Sequence, residues 1–338
     1  MKEIETSKAV GKILAHDVTQ IIKGEFKGAK FKKGHIIQEE DLPILLSIGK
    51  EHVFIEDFND TLMHENDGAK VLCSLCKNEY MKESGISEGK IELSATIDGL
   101  FKVNKDALKQ VNGFGEVMIA TRKGNRAIKK DDKLAGMRII PLMIEKEKMN
   151  RLQEKVQGPI LEIKPYVIKT AGIVTTGSEV YKGRIKDTFT PVIMDKLKEY
   201  GVEVVYHSLS LDDASMTTQK INEALDQKVD LVICTGGMSV DPDDKTPLAI
   251  KNTGADIISY GSPVLPGAMF LLSYKGDVPI LGLPGCVMYS KRTIFDIVLP
   301  RILAHDKISS EELAALGEGG LCLNCPVCTF PNCSFGTD

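Results

Sequence analysis

Residues 230–247 read DLVICTGGMSVDPDDKTP. Leu231, Val232, Ile233 and Cys234 form an unbroken apolar run, the pattern of a buried strand. Gly236-Gly237 follows, then a polar loop carrying Asp241, Asp243 and Asp244. Thr246-Pro247 reads as a helix N-cap followed by proline at the first helical position. Strand, glycine turn and helix start make the scaffold of a phosphate site. Glycine lets an anion approach the backbone, and free N–H groups at a helix start point toward it. Acids beside such a turn would repel a bare phosphate, so they point to a bound Mg²⁺ or a positioned water.

Outward from this stretch, strand and helix patterns alternate from Tyr166 to Ala304. Val167–Val174 is a strand ending in Thr175-Thr176-Gly177. A helix around Thr190–Tyr200 has Ile193, Leu197 and Tyr200 on one face and stops at Gly201. Val202–Tyr206 is a strand, Ser215–Gln227 an amphipathic helix, Pro279–Leu283 a short strand, and Met288–Leu303 a long closing helix. Strands spaced by helices imply an α/β fold, with a mostly parallel sheet covered by helices on both faces.

Residues 1–165 precede it as a mixed, β-rich α+β region. Thr6–Val18 and Gly24–Ile37 hold short strand-like pieces broken by glycine and lysine. Strands at Ile91–Ile97, Glu116–Thr121 and Ala135–Ile144 surround a small helix at Lys105–Val111, and Glu145–Lys155 is a charged helix. Residues 305–338 form a cysteine-rich segment after the α/β domain of 166–304. The chain has 338 residues, 43% of them hydrophobic, enough for two or three domains with a sizeable core. Its 43 basic and 47 acidic residues argue against a dedicated nucleic-acid binder. No run is long enough to span a membrane, and MKEIETSKAVGKI has no apolar signal core. A cytoplasmic location is expected, in which the eight cysteines stay reduced or bind metal.

Three loops of the α/β domain fall at the C-terminal ends of expected strands, the edge where open parallel sheets bind ligands. The first brings Thr176, Gly177, Ser178 and Glu179, with Asp187 at the following helix start. The second brings Gly236, Gly237, Ser239 and Asp244. The third, Leu283-Pro284-Gly285-Cys286, places Gly285 at a helix N-terminus. A lone TG, GG or PG turn is usually structural; three on one edge suit a ligand with several polar groups, including a phosphate.

TTGSE (Thr175–Glu179), KDT (Lys186–Thr188), TGGMSVDPDDKTP (Thr235–Pro247), PVLPGAMF (Pro263–Phe270) and GLPGC (Gly282–Cys286) occur in that order. Together they resemble the molybdopterin-binding domain of molybdenum cofactor biosynthesis proteins. AVGKILAHD (Ala9–Asp17) resembles, more loosely, the molybdenum-insertase branch. The resemblance implies binding of molybdopterin or adenylylated molybdopterin, with the phosphate at these turns and Thr176, Gly177, Ser178, Gly236, Gly237, Ser239, Pro284, Gly285 and Cys286 around it. It implies Glu179, Asp187 and Asp244 as the acids that position Mg²⁺ and water while the adenylate is cleaved and molybdate enters. It also implies a homo-oligomer, dimeric or trimeric.

The sequence departs from the insertase pattern in places. Cys286 and Phe189 stand where that branch has asparagine, and KGEFKGAKFKKGH (Lys23–His35) stands where it has a serine-methionine-aspartate-glycine-tyrosine segment. The cysteine segment takes the place of its C-terminal β domain. These differences bear on metal insertion more than on binding. Lys23, Lys27, Lys30, Lys32 and Lys33 read as a solvated face, or as a patch that closes over an anionic ligand.

Cys322, Cys325, Cys328 and Cys333 have C-x2-C-x2-C-x4-C spacing. The first spacings resemble ferredoxin-type ligation, with one extra residue before the fourth cysteine. A zinc ribbon separates its knuckles by a longer loop, which favours an iron–sulfur cluster over Zn²⁺; a flexible tail of reduced thiols is the plain alternative. Cys73-x2-Cys76 reads as structural, and Cys234 as core packing. Cys286 is expected at a helix N-terminus, where a thiol pKa falls.

The leading function implied by the resemblance is an enzyme or carrier of molybdenum cofactor biosynthesis that binds molybdopterin or its adenylylated form. Two alternatives remain: a non-catalytic cofactor carrier or sensor, and a nucleotide pyrophosphatase of the competence-damage-related type, whose paired aspartates DPDDKTP also resembles.

Overall fold

The computed structural model describes residues 1–57, 60–156 and 158–336. The chain divides into two compact units. The first comprises 1–96, 103–122 and 130–162; the second comprises 97–102, 123–129 and 163–338.

Short antiparallel strands dominate the first unit. Met81–Glu83, Ile91–Ala95, Lys133–Ile139 and Val117–Thr121 form a four-stranded sheet in that order. Helix Glu65–Cys76 packs on it. Gly68 permits the approach, since a Cβ there would stand 2.7 Å from Ile139 Cγ2. The sequence reading gave this helix no place. Cys73 and Cys76 lie on its buried side, and burial pushes both thiols up to about 12, so they are inert packing groups. Val18–Ile22 pairs with Phe26–Phe31 in a hairpin. Lys23, Lys27, Lys30, Lys32 and Lys33, on this hairpin and the turn after it, are all exposed.

The second unit is built on a six-stranded sheet. Its strands are β1 (Thr170–Thr176), β2 (Glu203–Ser210), β3 (Leu231–Thr235), β4 (Asp256–Tyr260), β5 (Leu271–Lys275) and β6 (Val278–Leu283), in the order β2-β1-β3-β6-β5-β4. The pairings β2–β1, β1–β3 and β3–β6 are parallel. Those of β6 with β5 and of β5 with β4 are antiparallel. The sheet is therefore mixed: β2, β1, β3 and β6 are parallel as expected, and β5 runs against both its neighbours. The cause is the turn Gly276-Asp277, too short to cross over a sheet face; it can only fold β6 back along β5.

The helices are α1 (Ser178–Tyr181), α2 (Phe189–Lys198), α3 (Ala214–Asp226), α4 (Thr246–Asn252), α5 (Ile294–Leu303) and α6 (Ser310–Ala315). Successive strand residues point to opposite faces. Ile173, Ile233 and Leu281 join one apolar cluster with Ile193 and Leu197 of α2 and Phe295 and Val298 of α5. Val174, Val232 and Ile280 join another with Ile221 and Ala224 of α3 and Ala249 and Ile250 of α4. Both faces are thus covered, as the uninterrupted apolar strands require.

Two helix starts differ from expectation. The closing helix begins at Ile294 rather than Met288, because Thr293 and Asp296 form a capping box there. Residues Gly285–Met288 make a separate 3₁₀ turn. Thr246 is the first residue of α4, and its hydroxyl caps nothing. No helix among the described residues is long and apolar enough to cross a membrane.

Candidate functional site

Because β1, β2, β3 and β6 run parallel, their C-terminal ends share one edge. The register sets Thr176 opposite Ser210, Thr175 opposite Thr235, and Thr235 opposite Leu283. Four loops leave this edge. Three are those singled out in the sequence; the fourth, residues 211–213, follows β2.

The first two loops interlock through threonines. Thr176 Oγ1 donates to the Thr235 carbonyl (3.0 Å) and lies 3.2 Å from Thr246 Oγ1. Thr246 Oγ1 donates to the Gly236 carbonyl (2.8 Å). Gly236 has φ +80°, and a Cβ there would stand 2.4 Å from the Thr176 carbonyl oxygen. At Gly237, with φ +57°, a Cβ would stand 2.8 Å from Thr246 Oγ1. The glycine pair is thus required first by the closeness of its own neighbours, before any ligand is considered. Met238 of the second loop packs on the end of β6: a Cβ on Gly282 would meet its Cε at 2.6 Å. Pro284 is buried and Gly285 exposed.

Asp244 folds back on its own loop. Its N–H donates to the Asp241 carbonyl (2.9 Å), and its Oδ2 accepts from the Asp241 N–H (3.1 Å). Tyr260, at the end of β4, donates its hydroxyl to the Met238 carbonyl (2.9 Å). Burial and the Asp244 charge raise the Tyr260 pKa and keep it a donor. Ser239 and Glu179 are exposed at the mouth of the loops.

Asp187 is the most constrained acid. Its Oδ1 accepts from the N–H groups of Phe189 (2.9 Å) and Thr190 (3.0 Å), so it caps the start of α2. Its Oδ2 is buried with no hydrogen-bond partner, and His207 Nε2 stands 3.6 Å away. Burial alone would raise the Asp187 pKa. Hydrogen bonds from Thr190 and Phe189 and the nearby His207 outweigh that, and hold the carboxyl below its ordinary value. His207 Nε2 lies 3.2 Å from Thr190 Oγ1, which contacts Thr175 Oγ1 at 2.8 Å.

Sequence reasoning missed His207 and Asp212. Asp212 Oδ2 accepts the Ser178 N–H (2.8 Å), which ties the first loop to the fourth. The signal was available: β2 ends on the same edge, so a histidine on that strand and an acid just after it belong to the search. Among the described residues, no three His, Cys, Asp or Glu side chains gather as a metal-holding group. Glu179, Asp187 and Asp244 therefore form no all-protein cation cage, and Cys322, Cys325, Cys328 and Cys333 do not converge on a single ion. The Cys286 expectation is corrected too. The residue sits in a short 3₁₀ turn, half-buried, and burial raises its thiol pKa.

Residues 172–305 match the family model described as the probable molybdopterin binding domain. The second unit carries a domain of that family. The resemblance read from the five motifs is met over this segment. Residues 3–57 match a domain of unknown function. Curated relatives include CinA-like proteins of Mycolicibacterium gilvum, 41% identical over 76 residues, and Mycobacterium avium, 40% identical over 76 residues. In both cases the match covers 22% of this chain and only 18% of the relative. Similar solved structures include CinA of Thermoplasma acidophilum (20% identity, TM-score 0.36, 40% of this chain and 98% of that one). Another is the tungsten cofactor synthesizing protein MoaB of Pyrococcus furiosus (21% identity, TM-score 0.35, 42% and 99%).

Proposed function

We propose that the molybdopterin-binding domain binds molybdopterin or its adenylylated form at the shared loop edge and serves molybdenum cofactor biosynthesis. The observation that carries this reading is the interlocked pair of loops at Thr176 and Gly236-Gly237, within the segment that matches the family. Exposed Ser239 and Gly285 would face the phosphate together with the partly buried Ser178 side chain, with Pro284 and Cys286 beside the pterin.

The donor chemistry suits Mg²⁺ held jointly with a phosphate. Such an ion takes one or two carboxylates plus phosphate oxygens and water. Asp187 Oδ2 is a buried carboxylate oxygen with no hydrogen-bond partner, 3.6 Å from His207 Nε2, and Asp244 and Glu179 are the other candidates. When bound there, Mg²⁺ would neutralise phosphate charge during cleavage of the adenylate. The chain's own part is to hold Asp187 ionised and fixed on α2, and to present Asp244 and Glu179 to the attacking water. Molybdate as co-substrate, and a dimer or trimer, belong to the same proposal.

The test is AMP release. With adenylylated molybdopterin, Mg²⁺ and molybdate, the protein is expected to release AMP with turnover; tight binding without AMP would support the carrier instead. The second reading, a nucleotide pyrophosphatase of the competence-damage-related type, rests on the likeness of DPDDKTP (Asp241–Pro247) to that family's paired aspartates. Cleavage of ADP-ribose in place of adenylylated molybdopterin would establish it.

Asp187→Asn keeps the acceptor for the α2 N–H groups and removes the charge. It is expected to lower Mg²⁺-dependent AMP release by about 10²-fold, with the melting temperature little changed. Equal release by parent and variant would remove Asp187 from the chemistry.

A further inference from the structure

Cys322, Cys325, Cys328 and Cys333 are all free thiols and all line one cavity of about 400 Å³ in the C-terminal segment. None of the loop residues from Thr176 to Cys286 proposed to bind the pterin lines it. The segment is anchored at both ends. Leu265 N–H donates to the Gly320 carbonyl and Cys322 N–H to the Leu265 carbonyl, each at 2.8 Å, while Gly336 N–H closes the loop onto the Gly319 carbonyl at 2.8 Å. Phe335 is buried in the core beside α5, and Arg126 Nη2 donates to its carbonyl (2.7 Å).

Between those anchors the segment has no core of its own. It contains no helix, and its strand pairing is limited to the bridge of Leu321 with Leu265. Leu323 and Val327 are 70% and 76% exposed. A closed loop of this length without regular structure is uncommon unless it serves a function. Here all four thiols line an open space, Cys322 and Cys333 on its core side and Cys325 and Cys328 exposed.

The occupant's chemistry follows from the lining. Four cysteine sulfurs select a thiophilic metal. Among the described residues no three side chains are gathered to hold a single ion. The C-x2-C-x2-C spacing of Cys322, Cys325 and Cys328 is that of thiolates sharing one iron–sulfur cluster, whereas a zinc ribbon parts its knuckles by a longer loop. Positive charge is also in place to offset a thiolate-ligated cluster. Lys291 and Arg292 line the cavity, and the guanidinium groups of Arg292 and Arg126 lie 5.2 and 5.4 Å from the centre of the Phe330 ring in its wall.

We propose that Cys322, Cys325, Cys328 and Cys333 ligate a [4Fe–4S] cluster in this cavity, independently of what binds at the loop edge. Loading from a preformed cluster is a ligand exchange. Each cysteine thiol passes its proton to a departing small thiolate and takes its place on iron, and no oxidation state changes.

The test uses the full chain, purified without oxygen and mixed with a synthetic [4Fe–4S] cluster carried on small thiolates. After gel filtration it is expected to retain about four iron and four sulfide per chain, with broad absorbance near 400 nm that bleaches on reduction. Cys325→Ser with Cys328→Ser, both at exposed positions, is expected to retain less than about a tenth of that iron, with an unchanged circular dichroism spectrum. Cys286→Ser is expected to retain it in full. Failure to retain iron, retention by the double variant, or capture of one Zn²⁺ per chain without sulfide would each overturn the proposal.

Discussion

Alanine at position 236 is expected to unfold the second unit at a markedly lower temperature and to abolish ligand binding at the loop edge. Gly236 has φ +80°, and the added Cβ would stand 2.4 Å from a main-chain oxygen, that of Thr176. Left-handed backbone costs an L-residue about 1–2 kcal/mol, and forcing a methyl into a packed site adds about 1–3 kcal/mol. No rotamer change relieves a clash with a carbonyl on the adjoining strand, so the two loops must part. A fall in melting temperature of roughly 5–15 °C follows for a unit of this size. Gly285→Ala is the matched control. Its φ is not left-handed and nothing lies within 4 Å of the added Cβ, so its melting temperature is expected to stay within about 2 °C of the parent. A Gly236→Ala protein as stable as Gly285→Ala would show that the loops are not interlocked as described.

Asp306→Ala is expected to destabilise the second unit by about 3 kcal/mol, because it removes the carboxylate shared by Lys102, Lys164 and the buried Arg301. Asp306 accepts from Lys102 Nζ and Lys164 Nζ, both at 2.7 Å, and from Arg301 Nε at 2.6 Å. Its side chain is 9% exposed. Arg301 also reaches Glu312 on α6 (2.8 Å), so the cluster joins α5 to the C-terminal segment. Burial would raise the Asp306 pKa, but the two lysines and Arg301 prevail and lower it from 3.8 to about 2. A folded-state pKa below the unfolded one gives stability that is complete above pH 4 and lost as pH falls through about 2. The difference of 1.8 corresponds to about 2 kcal/mol. Urea unfolding of parent and Asp306→Ala between pH 2 and pH 7 measures it. The gap between the two proteins should narrow by about that amount at the acid end; a gap independent of pH would mean that the carboxylate charge contributes nothing.

Parts of this molecule were plain in the sequence. Apolar runs such as Leu231–Cys234 can only be strands covered on both faces, and the helix patterns around Ile193 and Ile221 match α2 and α3 within a few residues. What escaped was non-local or masked by local composition. Asp256–Tyr260 alternates weakly and lies on the sheet edge, so its pairing with Leu271–Lys275, across residues 261–270, has no local signature. Helix Glu65–Cys76 contains Gly68, which local propensity counts against a helix and tertiary packing on Ile139 demands. His207 and Asp212 were missed because they stand on a strand and loop with no glycine signature. Their neighbours Thr190 and Ser178 lie 17 and 34 residues away in the chain.

By itself, the sequence determined that the chain carries an α/β sheet covered on both faces, that three glycine turns share one edge, and that four cysteines lie close together in its last 20 residues. Residue type and spacing suffice for these, since buried strands must be apolar and left-handed turns favour glycine. Only the tertiary structure decided that the sheet is mixed, that Gly236 serves the contact with Thr176, that Thr246 locks a loop rather than capping a helix, and that Asp187 keeps a buried oxygen with no hydrogen-bond partner. Each of these depends on which atoms the fold brings within a few ångströms across long separations in sequence. Such distances come from packing the whole unit, and no local pattern encodes them.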